Sequence, residues 1–117
     1  MGKKILIVDD EPDIVIFLTT LFEKNGYETV SASDGEKGLE IAGREKPDLV
    51  TLDLQMPKET GTGFYKKFAR DKTLKEIPII VISGLAGKHL AVKQPIAIFD
   101  KPIDADKLME VVRSAIG

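Results

Sequence analysis

The chain contains no cysteine, which excludes disulfides and thiol chemistry. Its single histidine, His89, cannot build a His-rich metal site, and beside Lys88 in a short polar stretch it is expected to be a solvated surface residue and not a phosphodonor. No unbroken apolar run exceeds five residues, far short of the roughly 20 needed to span a bilayer. Met1-Gly2-Lys3-Lys4 leads straight into a strand pattern where a signal peptide would need an apolar core, so a cytoplasmic protein with no membrane insertion is expected. Basic excess is missing too. Lys and Arg number 17 against 19 Asp and Glu, a net charge of −2, so no direct nucleic-acid partner is expected. There is no Gly-rich phosphate loop with its lysine, which excludes a bound nucleotide as a phosphoryl source. Low-complexity segments and internal repeats are also absent. At 117 residues the chain is expected to form one domain, residues 1–117, with a single core.

What is present is regular. Five Val/Ile-rich runs of strand length recur about every twenty residues: Ile5 to Val8, Thr29 to Ala32, Leu49 to Leu52, Ile77 to Ile82 and Ile96 to Phe99. Between the first two, "PDIVIFLTTLFEKNG" places Ile14, Leu18, Leu21 and Phe22 on one helical face, with Pro12 suited to the first turn and Gly26 to the stop. "GEKGLEIAGREKPD" predicts a shorter helix with Leu39, Ile41 and Ala42 inward, weakened by Gly38 and Gly43. "GFYKKFARD" sets Phe64 and Phe68 four apart, and "DADKLMEVVRSAI" starts at an Asp cap and aligns Leu108, Val111, Val112 and Ala115. Strand alternating with helix predicts an α/β fold, a doubly wound parallel sheet with helices on both faces. The second run, flanked by Thr29, Ser31 and Ser33, reads as an edge strand, whereas runs one, three and four suit burial on two sides.

In such a sheet, sites form beyond the carboxyl ends of the strands. Asp9, Asp10 and Glu11 follow the first run, Asp53 the third, Ser83 the fourth, and Lys101 lies just past the fifth. Taken singly, these residues have ordinary explanations: Asp-Asp-Glu after a strand is more often a helix-capping cluster, and Lys-Pro occurs by chance. Together they bring carboxylates, a hydroxyl and an ammonium to one edge. Carboxylates crowded within about 4 to 6 Å share protons or hold a cation. Oxygen ligands without His or Cys select Mg²⁺, and the whole set reads as a Mg²⁺-phosphoryl site in which a carboxylate can be the nucleophile.

"ILIVDDEP", "LDLQMPKETG", "IVISG" and "DKP" together resemble the receiver domain of two-component response regulators, the CheY-like superfamily, over essentially the whole chain. Asp9, Asp53, Ser83 and Lys101 stand 44, 30 and 18 residues apart in turn. The resemblance implies a flavodoxin-like five-stranded sheet of order 2-1-3-4-5. It implies that Asp53 is the phosphoacceptor for a phosphoryl group carried on a histidine of a partner sensor histidine kinase or phosphotransfer protein. Asp10, Asp9 mainly through water, Asp53 and the main-chain carbonyl of Gln55 would hold Mg²⁺, while Ser83 and Lys101 would bind the phosphoryl oxygens. Glu11 is expected at the rim or as a cap. The peptide before Pro102 would be cis, and Met56-Pro57 and Gly61 match the loop beyond the acceptor.

Two departures from the family pattern bear on output. The Ser83 to Lys101 interval is roughly one helical turn short, and with Gly84, Gly87 and Pro95 around it, the fourth helix, within Leu85 to Gln94, is expected to be short or irregular. The family's aromatic switch position is occupied by Ile98, with Phe99 one residue later, on the opposite face of the strand. The leading expectation is therefore a phosphoacceptor receiver whose phosphorylation alters contact with an unknown downstream protein. It would not be an enzyme beyond accepting and slowly hydrolysing its own phosphoryl group. The alternatives are a non-switching docking module, or a receiver cut from a longer regulator or hybrid kinase. An aspartate-dependent phosphatase is disfavoured, because such enzymes place a second acid where Gln55 stands.

Overall fold

The structure, a computed structural model, describes residues 2–54, 61–84 and 95–117. Gln55, Met56, Pro57, Lys88, His89 and the expected short fourth helix all lie outside the described residues. Five parallel strands, β1 (Lys4–Val8), β2 (Glu28–Ala32), β3 (Leu49–Leu52), β4 (Ile79–Ile82) and β5 (Ala97–Phe99), form one sheet of order β2-β1-β3-β4-β5. The described helices are α1 (Pro12–Lys24), α2 (Gly35–Glu45), α3 (Gly61–Arg70) and α4 (Ala105–Ile116).

The two-residue period of the central strands sorts the core into two layers. Leu6, Val8, Val50, Leu52 and Val81 face one side and pack with Ala42 of α2 and Phe64 and Phe68 of α3. Ile5, Ile7, Leu49, Ile80 and Ile82 face the other and pack with Leu18 and Phe22 of α1 and with Leu108, Met109 and Val112 of α4. Each fully buried side chain of this size removes enough apolar surface to favour folding by about 1.5–3 kcal/mol. β1, β3 and β4 are buried on both faces beyond Lys4, whereas β2 and β5 are open at the edges, as expected for β2. In α4 the buried stripe is Leu108, Met109 and Val112, while Ala115 is exposed. Met109, one residue after Leu108, therefore takes the inward place assigned to Ala115, because the arc that packs on the sheet continues from Val112 to Ile116, with Val111 at its edge, and leaves Ala115 outside it.

Local chemistry sets the boundaries. Pro12 opens α1, and Gly26 follows it with φ of +91°, where a side chain would be strained. The Asp34 carboxylate accepts from Lys37 N at 2.8 Å and Asp104 from Lys107 N at 3.1 Å, capping α2 and α4. β4 starts two residues later than its apolar run suggests: Ile77 N donates to Leu74 O in a turn, and Pro78 has no N–H to give to the ladder. Gly38 is more than a weak point in α2. A Cβ there would lie 3.0 Å from Phe64 Cε1 and 3.3 Å from Val8 Cγ1, so its bare backbone lets α2 close onto β1 and α3.

Candidate functional site at the carboxyl edge of the sheet

The order β2-β1-β3 reverses the direction of winding between β1 and β3, and opens a crevice where those two strands end. Val8 pairs with Leu52, so the next residues, Asp9 and Asp53, emerge side by side. Asp53 N donates to Val8 O at 2.9 Å and Asp9 N to Ala32 O at 3.1 Å, so the ladder holds both backbones one step past the strands. On the far side Ser83 N donates to Phe99 O at 3.1 Å, which sets the Ser83 backbone just past the end of β4. Lys101 follows β5 through a two-residue step, and the Lys101–Pro102 peptide is cis.

Asp9 and Asp53 are 3% and 4% exposed, Ser83 is buried completely, and Asp10 is the most solvent-accessible of the three aspartates. One carboxylate oxygen from each of Asp9, Asp10 and Asp53 lies within 4.8 Å of the other two, a grouping able to share one hard cation. Lys101 Nζ stands 3.2 Å from Asp9 Oδ2 and 3.7 Å from Asp53 Oδ2, and donates to Glu11 Oε1. Burial pushes the Asp9 carboxyl above its usual range, with the Asp53 charge adding to the rise; Glu11 N, donating to Asp9 Oδ1 at 2.9 Å, and Lys101 partly oppose it. Burial works against the Lys101 ammonium, but its contacts with Glu11, Asp9 and Asp53 outweigh this and hold its pKa above the ordinary lysine value.

Asp9, Asp10, Asp53 and Lys101 thus meet in one cleft, with Ser83 at the neighbouring strand end. Glu11 sits at the rim as the N-cap residue of α1, and its side chain makes no cap bond. Its partnership with Lys101, 90 residues away, has no signature in the sequence. At the output end, Phe99 packs among the residues of the α1 and α4 layer, while Ile98 points the other way and is 37% exposed. The one-residue displacement of the aromatic therefore changes its face, and the backbone does not bulge to restore it.

A doubly wound sheet of order β2-β1-β3-β4-β5 with an acidic cluster at its switch point is the architecture of CheY-like receiver domains. The chain belongs to the response regulator receiver domain family, which matches residues 5–113. It is 32% identical over 117 residues to Protein Rrf1 of Nitratidesulfovibrio vulgaris, covering all of this chain and 85% of that one. To the polar-differentiation response regulator DivK of Brucella anthropi it is 31% identical over 121 aligned positions, covering 100% of this chain and 98% of the other. A sensor protein from Polaromonas sp. JS666 superposes with a TM-score of 0.90 at 28% identity, over 97% of this chain and 95% of that one. Among the described residues no helix is long and apolar enough to cross a membrane.

Proposed function

We propose that Asp53 accepts a phosphoryl group from a phosphohistidine of a partner histidine kinase or phosphotransfer protein, and that the modification alters a protein contact. The observation that carries this is the meeting of three carboxylates within 4.8 Å with an ammonium that bridges two of them. An Asp53 carboxylate oxygen attacks phosphorus; the new O–P bond forms as the N–P bond breaks, and the electron pair of that bond returns to the imidazole nitrogen. The donor set is all oxygen, with two members buried, which fits Mg²⁺. Asp10, Asp53 and, mainly through water, Asp9 would hold it, joined by the Gln55 carbonyl. Bound there, the ion would neutralise charge on the phosphoryl oxygens. Lys101 supplies a fixed positive charge on the β5 side, and the Ser83 hydroxyl supplies a donor at the end of β4. No substrate other than the chain itself is turned over, and slow hydrolysis of the acyl phosphate resets the site.

Incubation with acetyl phosphate and Mg²⁺ is expected to add one phosphoryl group, seen in the intact mass and lost in Asp53→Asn. An unmodified wild-type mass would end the phosphoacceptor reading. The position of Phe99 in the α1 and α4 layer favours a second reading, a receiver that binds its partner through a fixed surface. Amide exchange with and without beryllofluoride separates the two: protection that changes over residues 95–102 supports the switch, and unchanged protection there supports the fixed module.

A further inference from the structure

The function proposed above asks Lys101 to meet a phosphoryl oxygen on Asp53, yet its ammonium is already engaged. It has three donor hydrogens, and three carboxylates surround it: Asp9, Asp53 and Glu11. The acceptors differ in kind. Asp9 and Asp53 are buried and belong to the cation-holding trio. Glu11 stands outside that trio, and its side chain is 56% exposed. Although it occupies the N-cap position of α1, its carboxylate caps nothing and is turned to Lys101 instead. The Lys101 side chain itself is only 16% exposed, so little water is at hand to replace a lost partner.

Asp53, at 3.7 Å, is an ion pair beyond hydrogen-bond reach, and the phosphoryl group it would carry takes over that contact; drawing the ammonium onto a phosphoryl oxygen then loosens either Asp9 or Glu11. Releasing Asp9 would leave a buried carboxylate short of both water and counter-charge, which is costly. Glu11 can be released into solvent and rehydrated, and an ion pair with an exposed member is weak enough to exchange.

We propose that Glu11 is a positioning residue that holds the Lys101 ammonium at the rim of the cleft and gives way when a phosphoryl group arrives, so that it slows phosphoryl acceptance at Asp53. The inference rests on the phosphoacceptor reading. Initial rates of mass gain with acetyl phosphate and Mg²⁺ test it in wild type, Glu11→Gln and Glu11→Asp. Both variants are expected to react about two- to five-fold faster, the range open to a partly exposed ion pair. The aspartate keeps the charge but is one methylene too short to reach Nζ. A Glu11→Asp rate equal to wild type beside a faster Glu11→Gln would mean that the charge acts through its field alone, and would overturn the contact. Wild-type rates in both variants would overturn it as well. A second readout needs neither metal nor phosphoryl donor: acetic anhydride should label Lys101 faster in both variants, and unchanged labelling refutes the hold. If wild type accepts no phosphoryl group at all, the proposed function falls and this inference with it; a phosphorylated wild type with unaltered variants sinks the inference alone.

Discussion

Neutralising Asp9 should make the metal-free protein more stable at neutral pH. At an effective dielectric near 20, two like charges 4.8 Å apart repel by about 3.5 kcal/mol, and the Asp9 oxygen lies within that distance of oxygens from both Asp10 and Asp53. Lys101 at 3.2 Å returns about 5 kcal/mol of attraction on the same scale. Repulsion wins by about 2 kcal/mol, and burial of the carboxylate adds to it, while the solvent exposure of Asp10 screens its share. Asp9→Asn can keep the bond from Glu11 N to its side-chain oxygen and removes the charge. The expected gain is about 1–2 kcal/mol, or about 4–8 °C in Tm for a chain of this length. The sign follows from the raised carboxyl. A group whose folded pKa is raised contributes its stability fully below the unfolded value near 3.8 and loses it as pH rises through the folded value. The advantage of Asp9→Asn should therefore be nil below that unfolded value and open as pH rises. Saturating Mg²⁺ should invert the order, because a ligand at a hundredfold excess over its Kd adds about 2.7 kcal/mol and wild type has the fuller ligand set. Thermal unfolding across pH, with and without Mg²⁺, is the assay. A metal-free Asp9→Asn protein less stable than wild type at pH 7 would refute the electrostatic argument.

The two helical glycines of α2 should respond in opposite ways. Gly43→Ala meets nothing within 4 Å and should gain about 0.5–1 kcal/mol from helix propensity. Gly38→Ala sets its methyl 3.0 Å from a Phe64 ring that is fully buried and stacked on Phe68 with centroids 5.3 Å apart, so overpacking of about 1–3 kcal/mol should exceed the propensity gain. Urea midpoints for both variants decide this; a stabilised Gly38→Ala would show that Phe64 can yield. Thr51, on β3 between Ile7 and Ile80, is buried with a hydroxyl that has no hydrogen-bond partner among the described residues. Thr51→Val should raise stability by about 1 kcal/mol in the same assay, since an unsatisfied buried hydroxyl is a net cost; a loss would show that the hydroxyl is satisfied.

The periods of two and 3.6 residues are written locally, and they sufficed for the strands and the described helices to within two residues and for the edge position of β2, while residue type marked the Asp104 cap; the Asp34 cap emerged only from its bond to Lys37 N. The same periods placed Asp9, Asp53, Ser83 and Lys101 at strand ends, and even the face of Phe99 follows from alternation, because a strand has two sides. What the linear pattern left open was every quantity that depends on how elements approach one another. Gly38 read as a flaw in a helix until the distance from α2 to Phe64 made it a requirement of packing. Glu11 read as a rim residue or cap, and only the juxtaposition of the β1 and β5 ends gave its carboxylate to Lys101. The Thr51 hydroxyl has no signature in the sequence; only the pairing of β3 with Ile7 and Ile80 leaves it without a hydrogen-bond partner among the described residues. Sequence by itself determined which groups arrive at the carboxyl edge of the sheet; tertiary structure decided which carboxylates crowd one another and which share the Lys101 ammonium, because those energies vary with ångströms between residues as much as 90 positions apart.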